Sequence, residues 1–291
     1  MFDSHTHLEE DLLKQNRNEI IDEFIQAGGK GLLNVGYTIE SNLEALKSAS
    51  SWLSYPEIVV KTSIGLHPTI FCQNSNIQNA ITNYNQTRKV LDWLAEKVKE
   101  NSGALSAIGE TGLDYYRIND EIPDTSDRAE CVERQKIAFR RHVEIARENR
   151  LPLTIHTRDR IDESECIRDS LEIVCEVGGV GGIFHCYTGS LDYLEDILGA
   201  GFLIGFNAII TYKSADNVRN LVKETPIESI VVESDAPYLP LRKKTIQNNR
   251  QNFGKPSDVK EVIKSIAAIK DLSETYVTQA TSSNFKAVFG E

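Results

Sequence analysis

Short apolar runs alternate with longer amphipathic stretches along the whole chain, the pattern of parallel β/α units. The apolar runs predict strands at residues 2–5, 31–35, 58–65, 105–109, 151–155, 182–185, 202–206 and 230–233. Helical periodicity fills the intervals at 8–27, 41–53, 87–100 and 128–149, a further helix follows the fifth strand to about 177, and two helices end the chain at 257–269 and 273–288. Val90, Leu91, Leu94 and Val98 share one predicted helix face, and Val132, Phe139, Val143 and Ala146 share another. Eight strands with intervening helices predict a closed (β/α)8 TIM barrel occupying residues 1–291 as one domain. The competing architecture is an open doubly wound sheet. No GxGxxG follows the first strand, which disfavours its dinucleotide-binding form.

The polar residues interrupting this pattern are not scattered. His5 and His7 stand at the end of the first predicted strand, and His67 follows the third. Glu110 ends the fourth, His156 the fifth, His185 the sixth and Asp235 the eighth. Five of the six histidines thus fall where a strand passes into its following loop, and His142 alone lies within a predicted helix, as a packed or solvent-facing residue. In a barrel those strand ends form the catalytic face. Alternate residues of an extended segment point the same way, so His5 and His7 both project into the barrel mouth. A lone His-x-His is weak as a metal signal, and it gains weight from the other strand ends. A mixed imidazole and carboxylate set suits zinc, manganese or iron better than magnesium. His5, His7, Glu110, His156, His185 and Asp235 are too many for one tetrahedral zinc and the right number for two cations sharing a bridging carboxylate.

Composition narrows the partners. Hydrophobic residues make up 40% and charged residues 26% of the 291, ordinary for a globular protein. No run approaches the roughly 18 apolar residues that a membrane helix needs. The opening Met-Phe-Asp-Ser-His holds no apolar stretch of signal-peptide type, so the expectation is a cytoplasmic protein with no membrane partner. A formal net charge of −11 excludes binding of duplex nucleic acid through a general basic field, and any such contact must be local or carried by cations. The five cysteines, at 72, 131, 166, 175 and 186, form no CxxC pair, so no disulfide framework or structural zinc finger is expected, and a reducing compartment fits.

The same strand ends carry six recognisable segments: Phe-Asp-Ser-His-Thr-His-Leu at 2–8, Gly-Leu-His-Pro at 65–68 and Ile-Gly-Glu-Thr-Gly-Leu-Asp-Tyr-Tyr at 108–116. Leu-Pro-Leu-Thr-Ile-His-Thr-Arg-Asp at 151–159, Phe-His-Cys-Tyr-Thr-Gly-Ser at 184–190 and Glu-Ser-Asp-Ala-Pro-Tyr-Leu at 233–239 complete them. In these segments and their order the chain resembles the TatD family of metal-dependent deoxyribonucleases, among the amidohydrolase-like barrels. The resemblance implies two divalent metal ions (Mg, Mn or Zn), with His5, His7 and Asp235 holding one, His156 and His185 the other, and Glu110 bridging. It implies hydrolysis of DNA phosphodiester bonds by a metal-activated water, in single strands or from a free 3′ end. Glu110 and Asp235 are the catalytic candidates, with Asp235 as general base. His67 and Arg158 would face the substrate phosphate, for which arginine offers a matching planar fork.

Two segments depart from the family pattern. The stretch 249–256 lacks the glutamate of a compact Arg-Asn-Glu-Pro-like motif, and the connection between His67 and Leu105 is long. Both frame the substrate rather than the metals, so they bear on what is cleaved. One alternative keeps the metals and changes the substrate to another ester or amide, such as a D-aminoacyl-tRNA. Another is a non-enzymatic scaffold, against which stands the cost of an uncompensated cluster of buried charge. No obligate protein partner is evident.

Several residues admit structural roles instead. Glu110 has the alternative of pairing with a buried arginine, Asp235 of capping a helix, His67 of a loop hydrogen bond and Arg158 of a surface charge. Asp3 and Glu233 share the inward face with the ligands and are candidates to orient imidazoles or to be satisfied core polar groups. Tyr115, Tyr116, Tyr187 and Tyr238 are candidates for base stacking or for packing. Arg242, Lys243, Lys244 and Arg250 form either a basic rim or a solvated surface.

Overall fold

The computed structural model describes residues 1–72, 81–122, 125–160, 162–241 and 252–290. Eight parallel strands form one sheet in the order of the sequence, β1 (Phe2–Thr6), β2 (Gly31–Val35), β3 (Val59–Ile64), β4 (Ala107–Asp114), β5 (Leu153–Arg158), β6 (Gly182–Phe184), β7 (Phe202–Phe206) and β8 (Ile230–Val232). The chain after β8 returns to β1: the Asp235 amide donates to the His5 carbonyl (2.9 Å) and the His7 amide to the Ala236 carbonyl (2.8 Å). The sheet thereby curls into a barrel, as the eightfold alternation predicts.

Helices cover the outside: α1 (Asp11–Lys14), α2 (Arg17–Gln26), α3 (Ile39–Ala49), α4 (Tyr84–Glu100), α5 (Tyr115–Glu121), α6 (Thr125–Asn149), α7 (Glu165–Val177), α8 (Leu194–Gly199), α9 (Asp216–Glu224), α10 (Val259–Lys270) and α11 (Glu274–Phe289). The longer ones bury an apolar stripe in the shell around the strands. Ile20, Ile21 and Phe24 do so on α2, Val90, Leu91, Leu94 and Val98 on α4, and Phe139, Val143 and Ala146 on α6. Full burial of such a side chain contributes roughly 1.5–3 kcal/mol, and this shell is the larger of two apolar clusters. The smaller one fills the floor of the barrel, where Leu33, Val35, Ala107, Ile183 and Val231 meet Phe285 and Phe289 of α11. Among the described residues no helix is long and apolar enough to cross a membrane.

Three expectations need correction. The predicted helix at 8–27 is two helices, because the chain turns at Gln15 and Asn16, where Asn16 leaves the helical backbone (φ −120°, ψ 24°). Strand β4 does not end at residue 109 but runs on to Asp114, and β5 reaches Arg158, so Glu110 and His156 lie within strands rather than at their ends. The apolar run stops early because Gly109, Glu110, Thr111 and Gly112 break it, while the strand continues through a register irregularity between Ile108 and Thr111. Gly112 has φ +138°, and a Cβ there would come within 2.0 Å of the His156 carbonyl oxygen, so the close approach of β4 to β5 requires glycine. Finally, Cys72 and Cys131 are joined by a disulfide, against the expectation of unbonded cysteines, because the fold brings the segment after β3 onto α6. Cys166, Cys175 and Cys186 are free thiols.

Candidate metal centre

The period of two along the strands carries the polar residues inward. In β1 the sequence Asp3, His5 and then His7 faces the barrel interior, and beyond β6 and β8 His185, Glu233 and Asp235 follow Ile183 and Val231 on the same alternation. All six predicted ligands meet there, buried or nearly so.

Glu110 is the hub. Its Oε2 lies 3.6 Å from both His5 Nε2 and His7 Nε2. Its Oε1 lies 3.0 Å from His185 Nε2 and 3.2 Å from His156 Nδ1. The two oxygens of one carboxylate therefore address two different pairs of imidazoles. Asp235 joins the first pair, with Oδ1 3.4 Å from His7 Nε2 and 4.0 Å from His5 Nε2. Within each pair the ring nitrogens face one another, at 3.2 Å for His5 and His7 and 3.4 Å for His156 and His185. Two donors bound to one cation at about 2.1 Å and near-tetrahedral or octahedral angles stand about 3.0–3.5 Å apart. The spacing and chemistry of these donors fit divalent cations in both positions.

The outward nitrogens are also engaged. His5 Nδ1 meets the Thr154 hydroxyl (3.1 Å) and His7 Nδ1 donates to the Val35 carbonyl (2.9 Å). His156 Nε2 meets Asp114 Oδ2 (3.2 Å), and His185 Nδ1 faces Glu233 Oε1 at 3.6 Å. Such partners fix which nitrogen is left free to bind a cation.

Burial and mutual charge set the proton affinities. Burial pushes His5 down to about 4, with His185 beside it acting the same way. Burial opposes the cation at His7, but Asp235 and Glu110 outweigh it and raise His7. Burial is likewise outweighed at His156 by Asp114 and Glu110, and at His185 by Glu110 and Glu233, which hold His185 well above 6.5. Burial would raise Glu110, yet His67, His185 and His156 hold it well below its ordinary value. Without a cation, protons take over part of the charge balance.

The two substrate candidates part company. His67 caps the short 3-10 turn Pro68–Phe71, its Nδ1 meets the Thr69 hydroxyl (2.7 Å), and its Nε2 reaches to 3.4 Å from Glu110 Oε1. It belongs to the cluster. Arg158 stands exposed at the rim, its guanidinium 4.2 Å above the Tyr116 ring. The tyrosines divide too. Tyr115 and Tyr187 are buried with hydroxyls donating to Asp169 and to the Ser190 carbonyl, which makes them packing residues. Tyr238 is 43% exposed and sets its ring edge-on to His7 at 5.5 Å, beside Tyr37, whose hydroxyl lies 3.2 Å from its own. The basic residues at 242–250 lie outside the described residues.

Sequence reasoning missed Asp114 and Tyr37 and undervalued His142. Asp114 stood within a quoted segment, four residues after Glu110, and an extended strand puts it on the same face. His142 is the packed alternative: its Nδ1 donates to the Ala138 carbonyl and its Nε2 accepts from the Leu66 amide, anchoring the loop that carries His67. Among the described residues Asp3 makes no hydrogen bond to an imidazole. It accepts from the His5 and Ser234 amides and the Ser234 hydroxyl, tying β1 to the chain after β8.

A barrel with imidazoles and acids converging inside its C-terminal mouth defines a metal-dependent hydrolase. The chain matches the family of TatD related DNases over residues 2–290, and it belongs to that family. It is 28% identical to the metal-dependent hydrolase YabD of Bacillus subtilis, over 99% of this chain and 98% of YabD. It is 27% identical to the 3'-5' ssDNA/RNA exonuclease TatD of Pectobacterium carotovorum, over 99% of both chains. The crystal structure of YJJV, a TatD homologue from Escherichia coli, superposes with a TM-score of 0.79 at 20% identity, covering 100% of this chain and 98% of that one.

Proposed function

We propose that the protein is a two-metal exonuclease that removes nucleotides from the 3′ end of single-stranded DNA, working as a single catalytic domain in the cytoplasm. The observation that carries this reading is the division of the Glu110 oxygens between two imidazole pairs. His5, His7 and Asp235 would hold one divalent ion, His156 and His185 the second, and Glu110 both. Ions there supply Lewis-acid charge to the scissile phosphate and lower the pKa of water at the site. The relative from Pectobacterium, named for 3'-5' cleavage of ssDNA and RNA, supports the substrate class, and so does the net charge of −11, which disfavours wrapping a duplex.

The chain's own residues have distinct tasks in this reading. Asp235 Oδ accepts the proton of the attacking water as the nucleophile forms. His67, at the inner end of the mouth, donates from Nε2 to a phosphate oxygen. Arg158, flattened on Tyr116, offers its fork to the next phosphate. Tyr238 gives a face on which an unpaired base stacks.

The test is digestion of oligonucleotides labelled at either end, single- and double-stranded, with manganese or magnesium. Stepwise shortening from the 3′ end that EDTA abolishes is expected. Cleavage confined to an aminoacyl ester, assayed in parallel, would overturn the substrate assignment and leave the metals in place.

A further inference from the structure

The two cation positions differ in where their negative charge comes from. The first has its own carboxylate, Asp235, within reach of His5 and His7, and the outer nitrogens of those imidazoles meet neutral groups, the Thr154 hydroxyl and the Val35 carbonyl. At the second, among the described residues, Glu110 is the carboxylate in contact with both His156 and His185; Asp235 comes within 4.8 Å of a His185 ring nitrogen but makes its short contact with His7. The imidazoles of this second position back onto two acids, His156 onto Asp114 and His185 onto Glu233. Both acids are fully buried.

We propose that Asp114 and Glu233 are positioning residues that sustain the second cation position through His156 and His185. The inference rests on the two-metal reading of the centre. Asp114 is locked on both sides: its Oδ1 accepts the Arg117 amide at the start of α5 (2.9 Å), and its own amide donates to Gln135 Oε1 (2.9 Å). Oδ2 is aimed at His156 Nε2 (3.2 Å), with Arg117 Nε farther off at 3.7 Å, so a proton on Nε2 presents Nδ1 to the cation. Glu233 Oε1 is held by the Cys186 amide (2.7 Å) and Asn207 Nδ2 (3.1 Å). Glu233 Oε2 and His185 Nδ1 are both buried without a hydrogen-bond partner among the described residues. A shift of a few tenths of an ångström in the His185 ring closes the 3.6 Å gap from Nδ1 to Glu233 Oε1 and gives Nδ1 its partner. Gly205 makes room for this carboxylate, since a Cβ there would stand 2.4 Å from Glu233 Oε2. An imidazole hydrogen-bonded to a carboxylate is a more basic ligand, so the two acids deliver to the second ion, one group removed, the charge that Asp235 delivers directly to the first.

The arrangement has a rival reading, in which His67, Asp114 and His156 are themselves ligands of a third ion. It requires both nitrogens of His156 to bind metal, which costs the ring its last proton.

The experiment is calorimetric titration of the metal-stripped full-length protein with zinc or manganese, alongside elemental analysis, for the wild type, Asp114→Asn, Glu233→Gln and Thr154→Val. The proposal expects two equivalents in the wild type. In Asp114→Asn and in Glu233→Gln one equivalent should bind about 10- to 100-fold more weakly while the other is unchanged. In Thr154→Val any loss should fall on the other equivalent. Equal weakening of both equivalents, or none, in Asp114→Asn and Glu233→Gln would overturn it, and so would a third equivalent in the wild type that Asp114→Asn removes. Fewer than two equivalents in the wild type would sink the two-metal reading itself, a distinguishable outcome. If the variants fail to fold, nitrogen-15 NMR of the zinc-loaded wild type decides: His156 protonated at Nε2 supports the proposal, and His156 protonated at Nδ1 contradicts it.

Discussion

The two ends of this barrel are built on the same inward alternation of residues and do opposite things with it. On the floor, Leu33, Val35, Ala107, Ile183 and Val231 close against Phe285 and Phe289 of α11, whose rings lie 5.0 Å apart. One inward step further along the same strands, Ile183 gives way to His185 and Val231 to Glu233 and then Asp235. Hydrocarbon on the floor needs only to exclude water. The polar groups of the cluster at the mouth are buried or nearly so, so they must be paired and held, and they gain from burial because low polarity strengthens each interaction with an ion or a phosphate. A single chain thus separates the end that stabilises it from the end that reacts.

That separation is open to attack at several points. The largest effect is expected from Glu110→Gln, which removes the charge shared by both imidazole pairs: hydrolysis should fall by about a thousandfold or more, measured on a labelled oligonucleotide with metal content checked in parallel. At the floor, Phe285→Ala should lower stability by about 3–5 kcal/mol, measured by denaturant unfolding, while turnover per folded molecule stays the same. A comparable loss of turnover in that variant would show that the two ends are coupled.

Much of this division was legible before any coordinates. The strand count, six of the eight strand positions to within two residues, and the convergence of the six candidate ligands follow from period-two and period-3.6 patterning and from chemistry collecting at strand ends. What stayed hidden has a physical reason in each case. Strand β4 was cut short because glycines and an acid replace its apolar run exactly where it enters the mouth, although its backbone remains paired to β5. The Cys72–Cys131 bond joins residues 59 apart, and no local pattern reports which distant helix a loop will meet. Asp114 was overlooked because an outer carboxylate is defined by the imidazole it touches, and that pairing exists only across β4 and β5.

Smaller effects sharpen the comparison. In the metal-free chain the raised His185 and the lowered Glu110 act as an ion pair. A raised histidine gives stability that is fully present below its ordinary value of 6.5 and is lost as pH climbs through its higher folded value. A lowered carboxyl gives stability that is present above 4.5 and lost as pH falls through its folded value. Melting temperatures in EDTA should therefore decline above neutral pH, whereas with manganese they should not. Cation affinity should rise with pH, about tenfold per unit for each proton displaced, and calorimetry at several pH values measures it. Smallest of all, Arg158→Ala and Tyr238→Ala at the rim should each weaken binding of a short single strand by about fivefold to tenfold, the loss of roughly 1 kcal/mol per contact. Fluorescence anisotropy checks this, and tighter binding in either variant would remove that residue from the substrate path.

The most direct measurement is anomalous diffraction from a crystal soaked in manganese. Two peaks are predicted, about 3.5–4 Å apart, one between His5, His7 and Asp235, the other beside His156 and His185, with a Glu110 oxygen on each. A single peak, or none, in crystals of protein that still hydrolyses DNA would contradict the account.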